Sequence, residues 1–230
     1  MSTIQPTLGT ELKIWTEWHA LAISCVLLGI LAGFSIRWFS ILAGISFFIL
    51  ILQFKMRWTP SGVFGSANAI TLLRLAGVCL LLFADPASGW VGAGALFLFA
   101  LDAVDGWVAR RRKLCSEFGE FFDKEVDAFF LLVLCLLLYS KRHFGLWILI
   151  PGLLRYGFVA YLKWIGPGRI KEQRSRFGCW SYFLIMVSLI SAFIVNDRFS
   201  LPLIVLTTFV LCASFADTIR RLHWPPRTQH

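Results

Sequence analysis

The sequence predicts an all-α fold, a polytopic bundle of transmembrane helices, and three observations carry that prediction. Of the 230 residues, 58% are hydrophobic and only 15% are charged, whereas about a quarter of a water-soluble domain is charged. Mean hydropathy is +0.74. Apolar runs recur at about 18 to 36, 38 to 54, 69 to 84, 90 to 109, 125 to 140, 144 to 164, 179 to 195 and 200 to 219, each near the length that crosses a hydrocarbon core. About eight spans are therefore expected, with the charges gathered between them.

Residues 1–17 form a polar start of mixed charge, with no basic n-region and no small-x-small cleavage site, so they read as a cytoplasmic N-terminal segment rather than a signal peptide. The first two runs meet at Arg37 with almost no loop, which predicts a tight transmembrane hairpin over 18–54; a shallow re-entrant pair is the alternative. A linker over 55–67, a six-helix core over 68–222 and a tail over 223–230 complete the division.

Basic residues set the expected orientation, because positive loops stay cytoplasmic. The connections 55–68, 110–124 and 163–178 and the tail after 219 are rich in Lys and Arg, while the opposite loops hold Arg37, Lys141, Arg142 and Arg198. Both termini are expected on the cytoplasmic side. The net charge of +9 suits a protein bordering anionic lipid headgroups, and no separate nucleic-acid surface is evident. The six cysteines lack paired spacing and read as small buried hydrophobes.

The chemistry concentrates in residues 102–127, where acidic residues and the basic run Arg110 to Lys113 interrupt the apolar chain. At about 100° per residue, Asp102 and Asp105 share one helical face, and Asp123 and Asp127 share another. Facing each other, the two turns would make a cage of four carboxylates. Buried carboxylates need a partner, and an all-oxygen donor set favours a hard cation, Mg²⁺ or Mn²⁺, over zinc. Two such ions are a recurrent arrangement for displacement at phosphorus. Gly106 and Gly119 leave room for the close approach of a polyphosphate or a neighbouring helix.

Asp102, Asp105, Gly106, Ala109, Arg110, Gly119, Asp123 and Asp127 reproduce every fixed position of D-x2-D-G-x2-A-R-x8-G-x3-D-x3-D. Through them the sequence resembles the CDP-alcohol phosphotransferase family. Upstream, Asn68, Thr71 and Arg74 look like the family's P-N-x-[IL]-T-x-x-R segment, with Ala67 in place of the proline. The likeness extends over about 66–222 and leaves the first hairpin outside it.

The resemblance implies an integral membrane enzyme that moves a substituted phosphate from a CDP-linked donor to an alcohol and releases CMP. It implies a metal site of Asp102, Asp105, Asp123 and Asp127, with Asp127 as general base and with Asp123 and Arg110 catalytic. Asn68, Thr71, Arg74, Asp105, Gly106, Ala109, Arg110 and Gly119 would line the CDP donor. For Asn68 and Thr71 the competing readings are a helix cap and a back-bonding hydroxyl. Arg155 falls within an apolar run, so it needs a counter-ion; the carboxylate cage or an anionic substrate is the expected one. Arg155, Lys171 and Arg174 are expected to hold the phosphate of an acceptor, although a lipid-headgroup surface explains the loop almost as well. Glu117, Glu120 and Glu125 read as exposed or supporting groups.

The expected donor is CDP-diacylglycerol and the acceptor a small polar alcohol; a CDP-amino-alcohol donor with a diacylglycerol acceptor is the alternative within the family. A polyprenyl transferase and a divalent-cation transporter are the alternatives from other classes. The resemblance also implies a homodimer, and a bacterial inner membrane, with the active site facing the cytoplasm, completes the expectations.

Overall fold

A computed structural model describes residues 8–59, 62–85, 89–112, 116–140, 144–165 and 176–223, and the side chains of all of these except 103–112. Among them the chain forms eight α-helices and no strand: α1 (Leu8–Leu31), α2 (Arg37–Gln53), α3 (Ser66–Leu81), α4 (Gly89–Arg112), α5 (Glu117–Ser140), α6 (Ile150–Ile165), α7 (Arg176–Ser191) and α8 (Asp197–His223). A 3-10 turn, Leu146–Leu149, leads into α6. Leu8–Leu31, Leu146–Ile165 and Asp197–His223 are long and apolar enough to cross a membrane. Arg37–Gln53, Ser66–Leu81, Gly89–Asp102 and Arg176–Ser191 are shorter apolar helices.

Helix α1 begins at Leu8, inside the segment that the sequence reading placed before the first span. The reason is an apolar stripe that starts early: Leu12, Trp15, His19, Ile23 and Leu27 are buried at three- and four-residue spacing. Its charged first turns are held by ion pairs, Glu11 with Arg57 at 3.0 Å and Glu17 with Lys163 at 2.8 Å. The turn into α2 is tight, as expected. Gly33 adopts φ +103° there, and Phe34 N–H donates to the Gly29 carbonyl at 2.9 Å, a helix end that favours glycine.

The hairpin packs on the core through aromatic rings rather than hanging beside it. Trp15 and His19 stack at 4.5 Å, and Phe47 of α2 meets Phe122 and Phe129 of α5 at 6.2 and 5.6 Å between ring centres. Helix α5 is the axis of the bundle. Every residue from Phe129 to Leu138 is buried, the signature of a helix enclosed on all sides. Helices α3, α6, α7 and α1 all pack against it, and α4 reaches the same centre by packing along α3.

The cysteines differ in part from expectation. Cys135 is buried, but Cys25 and Cys179 are exposed, and all five described cysteines are free thiols. Exposure to lipid costs a thiol little, so a hydrophobic segment tolerates cysteine on either face.

Candidate active site

Three helices bring the site together. Asp102 lies just past the middle of α4, Asp123 and Asp127 lie one turn apart in the first half of α5, and Arg74 comes from the middle of α3. One oxygen from each of the three aspartates lies within 4.8 Å of the others. The Arg74 guanidinium joins them: Nη1 is 2.8 Å from Asp102 Oδ1 and 2.9 Å from Asp123 Oδ1, and Nη2 is 2.6 Å from Asp127 Oδ1. The Arg74 side chain is only 1% exposed. A buried cation of this kind is stable only with acidic partners around it.

Three carboxylates around one guanidinium leave a surplus of negative charge. Their oxygens are convergent, mutually close and partly open to solvent, a donor set that suits a hard divalent cation. Asp105, Gly106, Ala109 and Arg110 belong to α4, but their side chains lie outside the described residues. Lys171 and Arg174 also lie outside them.

The start of α5 is shaped to let α3 come close. Ser116 Oγ accepts a hydrogen bond from Gly119 N–H at 2.9 Å, the N-cap interaction that starts a helix. A Cβ at Gly119 would fall 2.7 Å from Asn68 Oδ1 and 2.9 Å from Ser116 Oγ, so a larger residue here would have to displace the ends of both side chains. Asn68 is not the helix cap: Gly65 holds the N-cap position of α3, with no side-chain cap hydrogen bond, and Asn68 lies in the first turn. Its Nδ2 donates back to the Phe64 carbonyl at 2.6 Å, and Thr71 Oγ1 donates to the Ala67 carbonyl at 3.2 Å. Both side chains are buried beside Arg74 on the same helix.

Next to the carboxylates lies a cavity of about 420 Å³. Asp102, Lys124, Asp127, Arg155 and Tyr182 supply polar groups to its wall, while Phe99, Leu131 and Phe158 are among its apolar lining. The Tyr182 hydroxyl donates to the Asp127 backbone carbonyl at 3.4 Å. Arg155 Nη2 meets Glu125 Oε1 at 2.6 Å. Glu125 is correspondingly buried rather than exposed, because a guanidinium inside the bundle takes the nearest acidic partner on the facing helix.

Sequence reasoning placed Arg74 near substrate phosphates and missed its contact with the aspartates; its position in an apolar run was the signal for acidic neighbours. The Ser116 cap was legible as a serine three residues before Gly119. Nothing local marks Tyr182, which reaches the site by tertiary packing.

A helical bundle with three helices apolar and long enough to cross a membrane, and with clustered aspartates beside a cavity of mixed polarity, defines an integral membrane protein with an acidic site. More narrowly, the chain belongs to the CDP-alcohol phosphatidyltransferase family, whose model matches residues 64–218. Helices α1 and α2 lie outside that match. The chain is also similar to a Pseudomonas fluorescens protein named CDP-diacylglycerol–glycerol-3-phosphate 3-phosphatidyltransferase, with 36% identity over 89 residues. That alignment covers 36% of this chain and 45% of the relative, so the chain spans less than half of the relative's length. No solved structure matches the chain.

Proposed function

We propose that the protein makes phospholipid by transferring the phosphatidyl group of CDP-diacylglycerol to a small polar alcohol, with release of CMP. The observation that supports this most is the convergence of Asp102, Asp123 and Asp127 on Arg74, with Asp102 and Asp127 lining a partly apolar cavity. Such a wall suits a ligand with a charged diphosphate and a hydrocarbon tail. The relative's name makes glycerol 3-phosphate the first acceptor to test.

Asp102, Asp123 and Asp127, with Asp105 as the expected fourth ligand, would hold Mg²⁺ or Mn²⁺, two ions in the full arrangement. When bound, the metal neutralises charge on the phosphate oxygens and on the departing nucleotide. The remaining work falls to side chains. Asp127 accepts the proton of the acceptor hydroxyl as its oxygen bonds to the phosphatidyl phosphorus and the bond from that phosphorus to the CMP oxygen breaks. Arg74 holds Asp123 and Asp127 in register across one helical turn. Arg110 supports the diphosphate, Asn68 and Thr71 face the nucleotide, and Arg155, Lys171 and Arg174 bind a phosphate on the acceptor. The full reading has eight spans, both termini and the site on the cytoplasmic face of a bacterial inner membrane, and a homodimeric assembly.

The test is CMP release by purified protein from CDP-diacylglycerol with Mg²⁺ or Mn²⁺, across glycerol 3-phosphate, inositol, inositol phosphate, serine and choline. Metal-dependent release with one acceptor is the expected result. No release with any acceptor, alongside release from a CDP-amino-alcohol with diacylglycerol, would reverse the assignment of donor and acceptor.

A further inference from the structure

The ion pair between Glu125 and Arg155 arises from the same turn of α5 as Asp123 and Asp127. Glu125 lies two residues after Asp123 and two before Asp127, so it leaves the helix on a different face from either. Its side chain is 1% exposed, while that of Arg155 is 13% exposed. Arg155 lines the 420 Å³ cavity and Glu125 does not. The pair is therefore layered, with the carboxylate behind and the guanidinium at the wall. Lys124, the residue before Glu125, lines the same cavity and adds a second cation to it.

We propose that Glu125 is a positioning residue that holds Arg155 at the cavity wall in the orientation that binds the phosphate of a phosphorylated alcohol. The inference rests on the transferase reading above and adds the group that orients the acceptor site. A guanidinium carries its donors in a fixed plane, so its orientation decides which ligand it meets. An arginine already held in place loses less side-chain freedom when its ligand arrives. By its position, Glu125 also links the acceptor wall to the turn that carries Asp123 and Asp127.

Glu125→Gln, Glu125→Asp, Arg155→Met and the double variant Glu125→Gln/Arg155→Met, each purified in detergent, test this with two readouts. One is CMP release with glycerol 3-phosphate and CDP-diacylglycerol varied in turn. The other is calorimetric titration with inorganic phosphate, which needs no turnover. Glu125→Gln is expected to raise the KM for glycerol 3-phosphate and the Kd for phosphate about tenfold, with the donor KM and kcat within about twofold. In the Arg155→Met background the same change should add nothing. Glu125→Asp keeps the charge but withdraws it by one methylene, so a smaller loss in the same direction is expected even should Glu125→Gln fail to fold. Unchanged phosphate affinity in the Glu125 variants would overturn the proposal, as would an undiminished effect without Arg155 or a loss confined to kcat. Protein that releases CMP but binds no phosphate overturns this inference alone. Glu125-dependent phosphate binding without any CMP release supports it and overturns the transferase reading.

Discussion

Arg74 Nη2 lies 2.6 Å from Asp127 Oδ1, and the same guanidinium reaches Asp123 Oδ1 at 2.9 Å. One side chain from α3 thus spans a full turn of α5 and closes on Asp102 of α4 as well. Because the arginine is buried, this contact holds three helices together and sets the spacing of the carboxylates.

Replacing Arg74 with Met should therefore damage fold and activity together. Removing one partner from a buried ion pair costs about 3–5 kcal/mol, and here three carboxylates would lose the same cation. A marked fall in thermal midpoint is expected, with CMP release lost. Divalent cations should restore part of the midpoint by taking up the surplus charge, which a thermal melt with and without Mg²⁺ would reveal.

Asp123→Asn and Asp127→Asn keep side-chain volume while removing a charge from the cluster. CMP release should fall about a thousandfold in Asp127→Asn, the scale of a lost general base, with the gel-filtration profile unchanged. Chelation with EDTA should abolish release by the wild type, and added Mg²⁺ or Mn²⁺ should return it. Full activity in EDTA would remove the metal from the proposed function.

Gly119→Ala tests the contact between α3 and α5. The added carbon would sit 2.7 Å from Asn68 Oδ1 and 2.9 Å from Ser116 Oγ, so overpacking of about 1–3 kcal/mol is expected. Trimming the obstacle with Asn68→Ala in the same chain should recover part of that loss. A double-mutant cycle of thermal midpoints would measure the coupling.

Phe47 is fully buried against Trp15, His19, Phe122 and Phe129. Phe47→Ala should destabilise the protein by about 3–5 kcal/mol through the cavity it leaves. Hydrogen exchange should then rise first in α1 and α2. Unaltered exchange in these two helices would mean that the hairpin contributes nothing to the stability of the core.

Much of the architecture was legible because its signals are local. Apolar runs marked all eight helices, Arg37 marked the hairpin turn, and the spacing of Asp123 and Asp127 placed both on one helical face. The apolar run marks α1 only from about residue 18, whereas the helix begins at Leu8, because Leu12 and Trp15 sit among charges that find partners only in the folded chain, Arg57 and Lys163.

The sequence by itself determined the helical class, the family and the facing of Asp123 and Asp127, since periodicity and motif spacing act over a few residues. The tertiary structure alone decided which charges meet. Arg74 reaches aspartates 49 and 53 positions away, and Arg155 a glutamate 30 positions away. A buried guanidinium has to be paired, but helical periodicity does not name its partner. The packing of α3 and α6 on α5 makes that choice, giving Arg74 to the aspartate cluster and Arg155 to Glu125.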